Sequence, residues 1–177
     1  QWSRNLIAAG LVADGVVDER SIVDLKPEDV AGYTQAHFFS GIAIWSYALR
    51  LAGVSDDTKV WTGSCPCQPY SSAGQGKGEE DERHLWPEWF RLIRAVRPRL
   101  LFGEQVASAA VVGKAAGAAG PAPKDGDPRA WFDVVRSDLE GAGYAVGMAV
   151  LPAASVGAPH KRERLFFGAV LLADAGG

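Results

Sequence analysis

Read for the period of its apolar positions, the chain alternates between short continuous apolar runs and stretches of helical spacing. Leu6 to Leu11 form an apolar patch closed by Asp14-Gly15, the pattern of a helix end and turn. Val16-Val17-Asp18 predicts a brief strand, and Lys26-Pro27-Glu28-Asp29-Val30 a helix start with acids behind its proline. Residues 36–40 suit a central strand, which Gly41 ends. Ile44, Tyr47, Ala48, Leu51 and Ala52 then recur at spacings of three and four, the apolar face of a helix that Gly53 stops. Residues 59–63 are the next strand. Over residues 84–96, Leu85, Trp89, Leu92, Ile93 and Val96 mark a second amphipathic helix, stopped by Pro98. Leu100-Leu101-Phe102 is a continuous apolar run of buried-strand type, ending at Gly103-Glu104. Residues 108–128 are rich in alanine, glycine and proline and read as a flexible insertion. A third helix follows, with Trp131, Val134, Val135 and Leu139 on one side, and strands at 144–151 and 164–172 flank a loop.

Strands alternating with helices imply a three-layer α/β/α domain around a mostly parallel sheet, and the strand-loop-strand ending adds an antiparallel member. At 177 residues the chain has room for one core, so residues 1–177 are expected to be a single domain. The longest apolar runs are too short to span a bilayer and the opening residues carry no signal pattern, which reads as a cytoplasmic protein with no membrane association. The net charge of −3 advertises no nucleic-acid partner, so any phosphate footprint has to be local. The chain opens on Gln1 and closes on a small-residue tail, which reads as a piece of a longer polypeptide.

Chemistry concentrates where residues 59–63 run into Ser64-Cys65-Pro66-Cys67-Gln68-Pro69-Tyr70-Ser71-Ser72-Ala73-Gly74. Prolines and glycines forbid regular structure there, so thiols sit at a strand-to-loop junction, the place where open α/β sheets hold their ligands. Two cysteines one residue apart are poorly placed to bridge each other, and Cys-x-Cys supplies only two metal ligands. His37, His84 and His160 show no paired spacing, so no metal is expected.

Pro66-Cys67-Gln68-Pro69-Tyr70-Ser71, with Gly74, Gly78, Asp81, Arg83 and Leu85 behind it, resembles the catalytic loop of the cytosine-5 DNA methyltransferases. Phe102-Gly103-Glu104-Gln105-Val106 resembles that family's Glu-Asn-Val motif, and His160-Lys161-Arg162-Glu163-Arg164 its Gln-x-Arg-x-Arg motif, in the family's order. The resemblance implies a Rossmann-like, S-adenosylmethionine-dependent fold and double-stranded DNA as substrate. It further implies a restriction-modification or self-modification role. Carbon 5 of cytosine is a poor nucleophile; a thiolate adding to carbon 6 activates it if charge developing on the ring is neutralised. The resemblance assigns Cys67 as that thiolate, Glu104 as the ring stabiliser and Arg162, with Arg164 near it, as the contact to the base oxygen and phosphate. Gln68, Ser71, Gly74, Arg83 and Arg164 are the implied substrate contacts. Cys65 stands where the family has proline and reads as a packing residue.

The family's cofactor turn, Phe-x-Gly-x-Gly-Gly, is here Phe39-Ser40-Gly41-Ile42-Ala43-Ile44, with one glycine of three kept and a branched side chain at the helix start. Phe39, Ser40, Gly41, Ile42 and Pro66 are the implied cofactor contacts. The acid that would hold the cofactor ribose normally follows this turn, yet residues 53–59 leave no room for it. Asp18, with Ser21 and Ile22, offers a permuted substitute upstream. The target-recognition domain that the family places after the arginine motif is absent, so base readout is expected from a further segment or a partner chain. Two readings compete: a catalytically silent homologue serving as a nucleic-acid or partner-binding module, and a tRNA cytosine-5 methyltransferase.

Overall fold

A computed structural model describes residues 1–66, 85–107 and 128–172. Its elements are α1 (Trp2–Ala8), a 3-10 turn (Ile22–Asp24), α2 (Pro27–Val30), β1 (Gln35–Phe38), α3 (Ile44–Leu51), β2 (Val60–Gly63), α4 (Trp86–Val96), β3 (Leu100–Val106), α5 (Pro128–Gly141), β4 (Tyr144–Pro152) and β5 (Glu163–Leu171). The strands form one sheet in the order β1-β2-β3-β5-β4. β1, β2 and β3 run parallel, and β5 is antiparallel to both of its neighbours. The antiparallel member is thus the last strand in sequence, but in space it is inserted between β3 and β4.

Alternation along β5 sends Leu165, Phe167 and Ala169 to one face and Phe166 and Val170 to the other. Against the first face lie α4 and α5, whose Trp86, Trp89, Trp131 and Phe132 are all buried. Trp131 and Phe132 meet Phe167 at centroid distances of 6.3 and 5.9 Å, and Trp86 meets Trp89 edge-on at 5.7 Å. Rings of this size bury about 150–250 Å² each, so this aromatic layer supplies most of the drive that holds the helices on the sheet. Helix α3 covers the opposite face, where Trp45 meets Phe166 edge-on at 6.4 Å. The domain therefore has helices on both faces of a mostly parallel sheet.

Two strand glycines are dictated by this packing. A Cβ on Gly63 would stand 2.6 Å from the Trp89 indole, and one on Gly103 would be driven into the ring of its register partner Phe167. β3 passes through Gly103 and Glu104, where the strand was expected to end, and stays paired with β5 as far as Val106.

Three further expectations are corrected, and one falls outside what the structure describes. Residues 16–18 form no strand: they are irregular and mostly exposed, and Arg20 holds Asp18 through both carboxylate oxygens at 2.7–3.1 Å. In α3 the apolar stripe faces outward, with Ile44, Tyr47 and Leu51 exposed at 58%, 46% and 71%, while Ser46 and Leu49 are buried. The reason lies in two contacts from distant parts of the chain: Ser46 Oγ accepts a hydrogen bond from the Ala13 amide and Trp45 donates to Ser64, which fixes the helix rotation. In α5 the inward set is Trp131, Phe132, Val135 and Leu139, and Val134 is exposed. The insertion expected at residues 108–128 lies outside the described residues except for its last member, Pro128, which opens α5.

His37 on β1 is paired with the fully buried Thr62 on β2, Nδ1 to Oγ1 at 2.7 Å, and its Nε2 is buried. Burial lowers its pKa from 6.5 to about 4. The unfolded chain therefore takes up the proton first. The stabilisation from a neutral His37 is complete above pH 6.5 and is lost as pH falls toward 4, by up to about 3 kcal/mol. Denaturant titrations at pH 7 and 4.5 should show this loss, and His37→Gln should reduce it; an unchanged pH dependence would remove His37 as its source.

Candidate active site

The carboxyl ends of β1, β2 and β3 open on one edge of the sheet, and of the sequence-predicted residues the 39–42 turn, Pro66 and Glu104 lie at that edge. Phe38 ends β1 and the chain turns through Phe39-Ser40-Gly41-Ile42-Ala43 into α3. Phe39, Gly41 and Ala43 have φ of 52°, 55° and 62°, so every second residue of the turn is left-handed. Alternation of this kind curls successive backbone N–H groups toward a common side, a concavity that suits an anion. The turn keeps this shape with a single glycine. Phe39 and Ala43 bear the cost, and Ala43→Gly should raise stability by about 1 kcal/mol in a denaturant titration, whereas a loss would contradict the strain.

β2 ends at Gly63, and Ser64 donates its amide to the Phe38 carbonyl at 3.3 Å. Cys65 is buried and desolvation pushes its thiol pKa up, the mark of an inert packing residue. Pro66 is half-buried and closes this described segment. Cys67, Gln68, Ser71, Gly74 and Arg83 lie outside the described residues.

Glu104 on β3 stands opposite Phe166 on β5, two residues along from Arg164. Arg164 Nε lies 3.0 Å from Glu104 Oε1, with both side chains 25% exposed. A half-buried carboxylate and guanidinium at this distance hold each other in one orientation. Arg162 is not part of the pair. It is exposed, has φ of 33°, and its carbonyl accepts from the Ala153 amide at 3.2 Å in the loop preceding β5. Of the arginine motif, Arg164 and not Arg162 contacts Glu104, a contact the sequence reading did not foresee.

Asp18, Ser21 and Ile22 sit elsewhere in the N-terminal segment. The Asp18 carboxyl is exposed and occupied by Arg20, whose hydrogen bonds lower its pKa to about 2. Ser21 caps the 3-10 turn, and Ile22 is buried in the core cluster against which Phe39 packs. Arg91 on α4 donates to the carbonyls of Ile22 and Leu25 at 3.4 and 2.9 Å, which ties this segment to the α4 side of the sheet.

Sequence reasoning passed over Gln105 and Trp45. Gln105 is 3% exposed; its Nε2 donates to the Cys65 carbonyl at 3.4 Å and its Oε1 accepts from the Val106 amide at 2.9 Å. Its amide therefore ties β3 to the run-out of β2. The signal was present, since Gln105 holds the place of asparagine in the Glu-Asn-Val pattern. Among the described residues no cluster of three His, Cys, Asp or Glu could hold a metal ion, and no helix is long and apolar enough to cross a membrane.

Comparison with known proteins places these elements among relatives. A family model for C-5 cytosine-specific DNA methylases matches residues 48–173. The type II methyltransferase M.AplI of Arthrospira platensis is 31% identical over 107 residues, 60% of this chain and 27% of that protein. M.HhaI of Haemophilus parahaemolyticus is 29% identical over 111 residues, 62% of this chain and 30% of that protein. The crystal structure of S. pombe Dnmt2 methyltransferase superposes with a TM-score of 0.53 at 17% identity, over 81% of this chain and 51% of that one. That likeness concerns the fold. The chain thus spans under a third of the length of these two curated relatives.

Proposed function

The chain belongs to the C-5 cytosine-specific DNA methylase family, and from that premise we propose that it is the catalytic part of an S-adenosylmethionine-dependent enzyme that methylates carbon 5 of a cytosine flipped out of double-stranded DNA. The observation that carries this reading is the Glu104–Arg164 pair at 3.0 Å, with Glu104 on the strand next to the one that leads into Cys67.

In this reading Cys67 attacks carbon 6 of the ring. Glu104 stabilises the charge that then develops at ring nitrogen 3, and Arg164 keeps the Glu104 carboxyl aimed at the base. Arg162, exposed on its loop, is free to meet the base oxygen or a phosphate, and Gln68, Ser71, Gly74 and Arg83 belong to the loop that contacts DNA. S-adenosylmethionine supplies an electrophilic methyl group. The chain's own turn supports its binding: the backbone amides of Phe39, Ser40, Gly41 and Ile42 can take a carboxylate, with Pro66 alongside. Asp18, Ser21 and Ile22 are the proposed ribose side. Asp18 would have to share its carboxylate with Arg20, so Asp18→Ala is expected to weaken cofactor binding by no more than about 1 kcal/mol. Sequence-selective readout is assigned to a further segment or partner, in a restriction-modification or self-modification setting in the cytoplasm.

Calorimetry tests the cofactor half of the reading. The chain should bind S-adenosylmethionine, and Ile44→Gly should tighten it by removing a branched side chain from the helix start. Absence of binding by both proteins would favour the silent homologue. Binding of duplex DNA by this chain alone should be weak, steeply salt-dependent and nearly indifferent to sequence.

A further inference from the structure

Trp45 is the second residue of α3, two residues after the left-handed Ala43 that ends the glycine turn. Its indole Nε1 donates to Ser64 Oγ at 3.0 Å. Ser64 is the first residue after β2, three before Cys67, and its own amide is bonded to the Phe38 carbonyl that precedes the turn. The other side of the indole meets Phe166 edge-on at 6.4 Å, and Phe166 is the register partner of Glu104. One half-buried side chain therefore touches the exit of β2 and the strand beside Glu104, while its backbone belongs to the helix that the turn starts.

A residue that served only to fill space here would need neither the N–H nor a polar partner at a strand exit. An apolar ring of similar size would do. The indole N–H and the Ser64 hydroxyl add a directional link between two elements that carry different parts of the site, and Phe38 closes the loop through its carbonyl. Any ligand that tightens the Phe39–Ala43 turn fixes the first turn of α3, and with it the indole. The indole then holds Ser64, and Ser64 sets the start of the segment that carries Cys67.

Resting on the reading of Cys67 as nucleophile and of the turn as cofactor site, we infer that Trp45 is a positioning residue that couples occupancy of the Phe39–Ala43 turn to the reactivity of Cys67. Ser64 is its partner in that link. Trp45 itself touches neither substrate nor cofactor.

The test is a double-mutant cycle on the intact chain with two readouts: the dissociation constant for S-adenosylmethionine, and the rate at which a 5-fluorocytosine duplex forms a covalent adduct at saturating cofactor. Trp45→Phe keeps the edge-on ring contact and removes the N–H; Ser64→Ala removes the acceptor. Each should raise the dissociation constant and slow the adduct by about three- to tenfold, the scale of one part-buried hydrogen bond. The double variant should be no worse than either single one. Tyr47→Ala, on the outward face of α3, should change neither readout. If Trp45→Phe lowers only the melting temperature, the residue is packing and the inference is overturned. Independent, multiplying effects of the two substitutions would also overturn it. A wild-type chain that, supplied with any segment needed for recognition, binds no cofactor and forms no adduct would overturn the functional reading first, and the coupling with it.

Discussion

Gly103→Ala is expected to destabilise the domain by about 3 kcal/mol, at the upper end of overpacking costs. For a chain of this size that is a fall in melting temperature of roughly 6–12 °C. The added methyl would enter the ring of Phe167. That ring has nowhere to go, because Trp131 and Phe132 pack against it from the helical layer at 6.3 and 5.9 Å. Relief would require β3 and β5 to separate at the point where they carry Glu104 and Arg164, so the same change should also damage the site. Gly147→Ala is the control, since a Cβ there meets nothing within 4 Å. Thermal unfolding followed by circular dichroism reads both. A Gly103→Ala chain that melts within about 2 °C of the parent would mean that the aromatic layer is looser than described.

The second large effect concerns chemistry. Glu104→Gln keeps the shape of the side chain and removes its charge, so the ion pair with Arg164 at 3.0 Å is reduced to a contact between a guanidinium and a neutral amide. If Glu104 stabilises the ring, single-turnover methyl transfer should slow by about two to three orders of magnitude, the scale of losing one preorganised stabilising group. Because the two side chains are three-quarters buried, some loss of stability accompanies the change, so the rate is read on protein shown to be folded by circular dichroism. Arg164→Met should also slow transfer, through disorder of Glu104, and Arg162→Met should do so less if Arg164 is the residue that orients the carboxyl. A rate for Glu104→Gln within threefold of the parent would remove Glu104 from the chemistry.

The strands of this fold were legible because their signal is short and unambiguous. Val60-Trp61 and Leu100-Leu101-Phe102 are apolar on both faces, and only a strand covered on both sides uses such runs. The helices were legible as elements and less so as oriented bodies. In α3 the spacing of Ile44, Tyr47 and Leu51 is that of a buried stripe, but the direction is decided by two polar contacts, Ala13 to Ser46 and Trp45 to Ser64, which come from distant parts of the chain. Val134 fails for a related reason: Phe132 takes the inward place beside Phe167, and one helix face cannot hold both. Residues 16–18 have the β-branched composition of a strand, yet no neighbour offers them a ladder. In the candidate site, the motif wording singled out Glu104 and the two arginines. It could not say which arginine reaches Glu104, because that depends on the pairing of β3 with β5.

The central claim is that Cys67, and not the neighbouring Cys65, adds to carbon 6 of a cytosine. Cys65 is buried with its thiol pKa raised, which leaves it unfit for the role. The direct measurement is a covalent trap. With 5-fluorocytosine in a DNA duplex and S-adenosylmethionine present, the chain should form a complex that survives denaturing electrophoresis, because fluorine cannot leave carbon 5 as a proton does. Peptide mass spectrometry should place the adduct on Cys67, Cys67→Ser should abolish it and Cys65→Ser should leave it largely intact. An adduct mapped to Cys65, or no adduct when the chain is supplied with cofactor, duplex and any segment needed for recognition, would contradict the account.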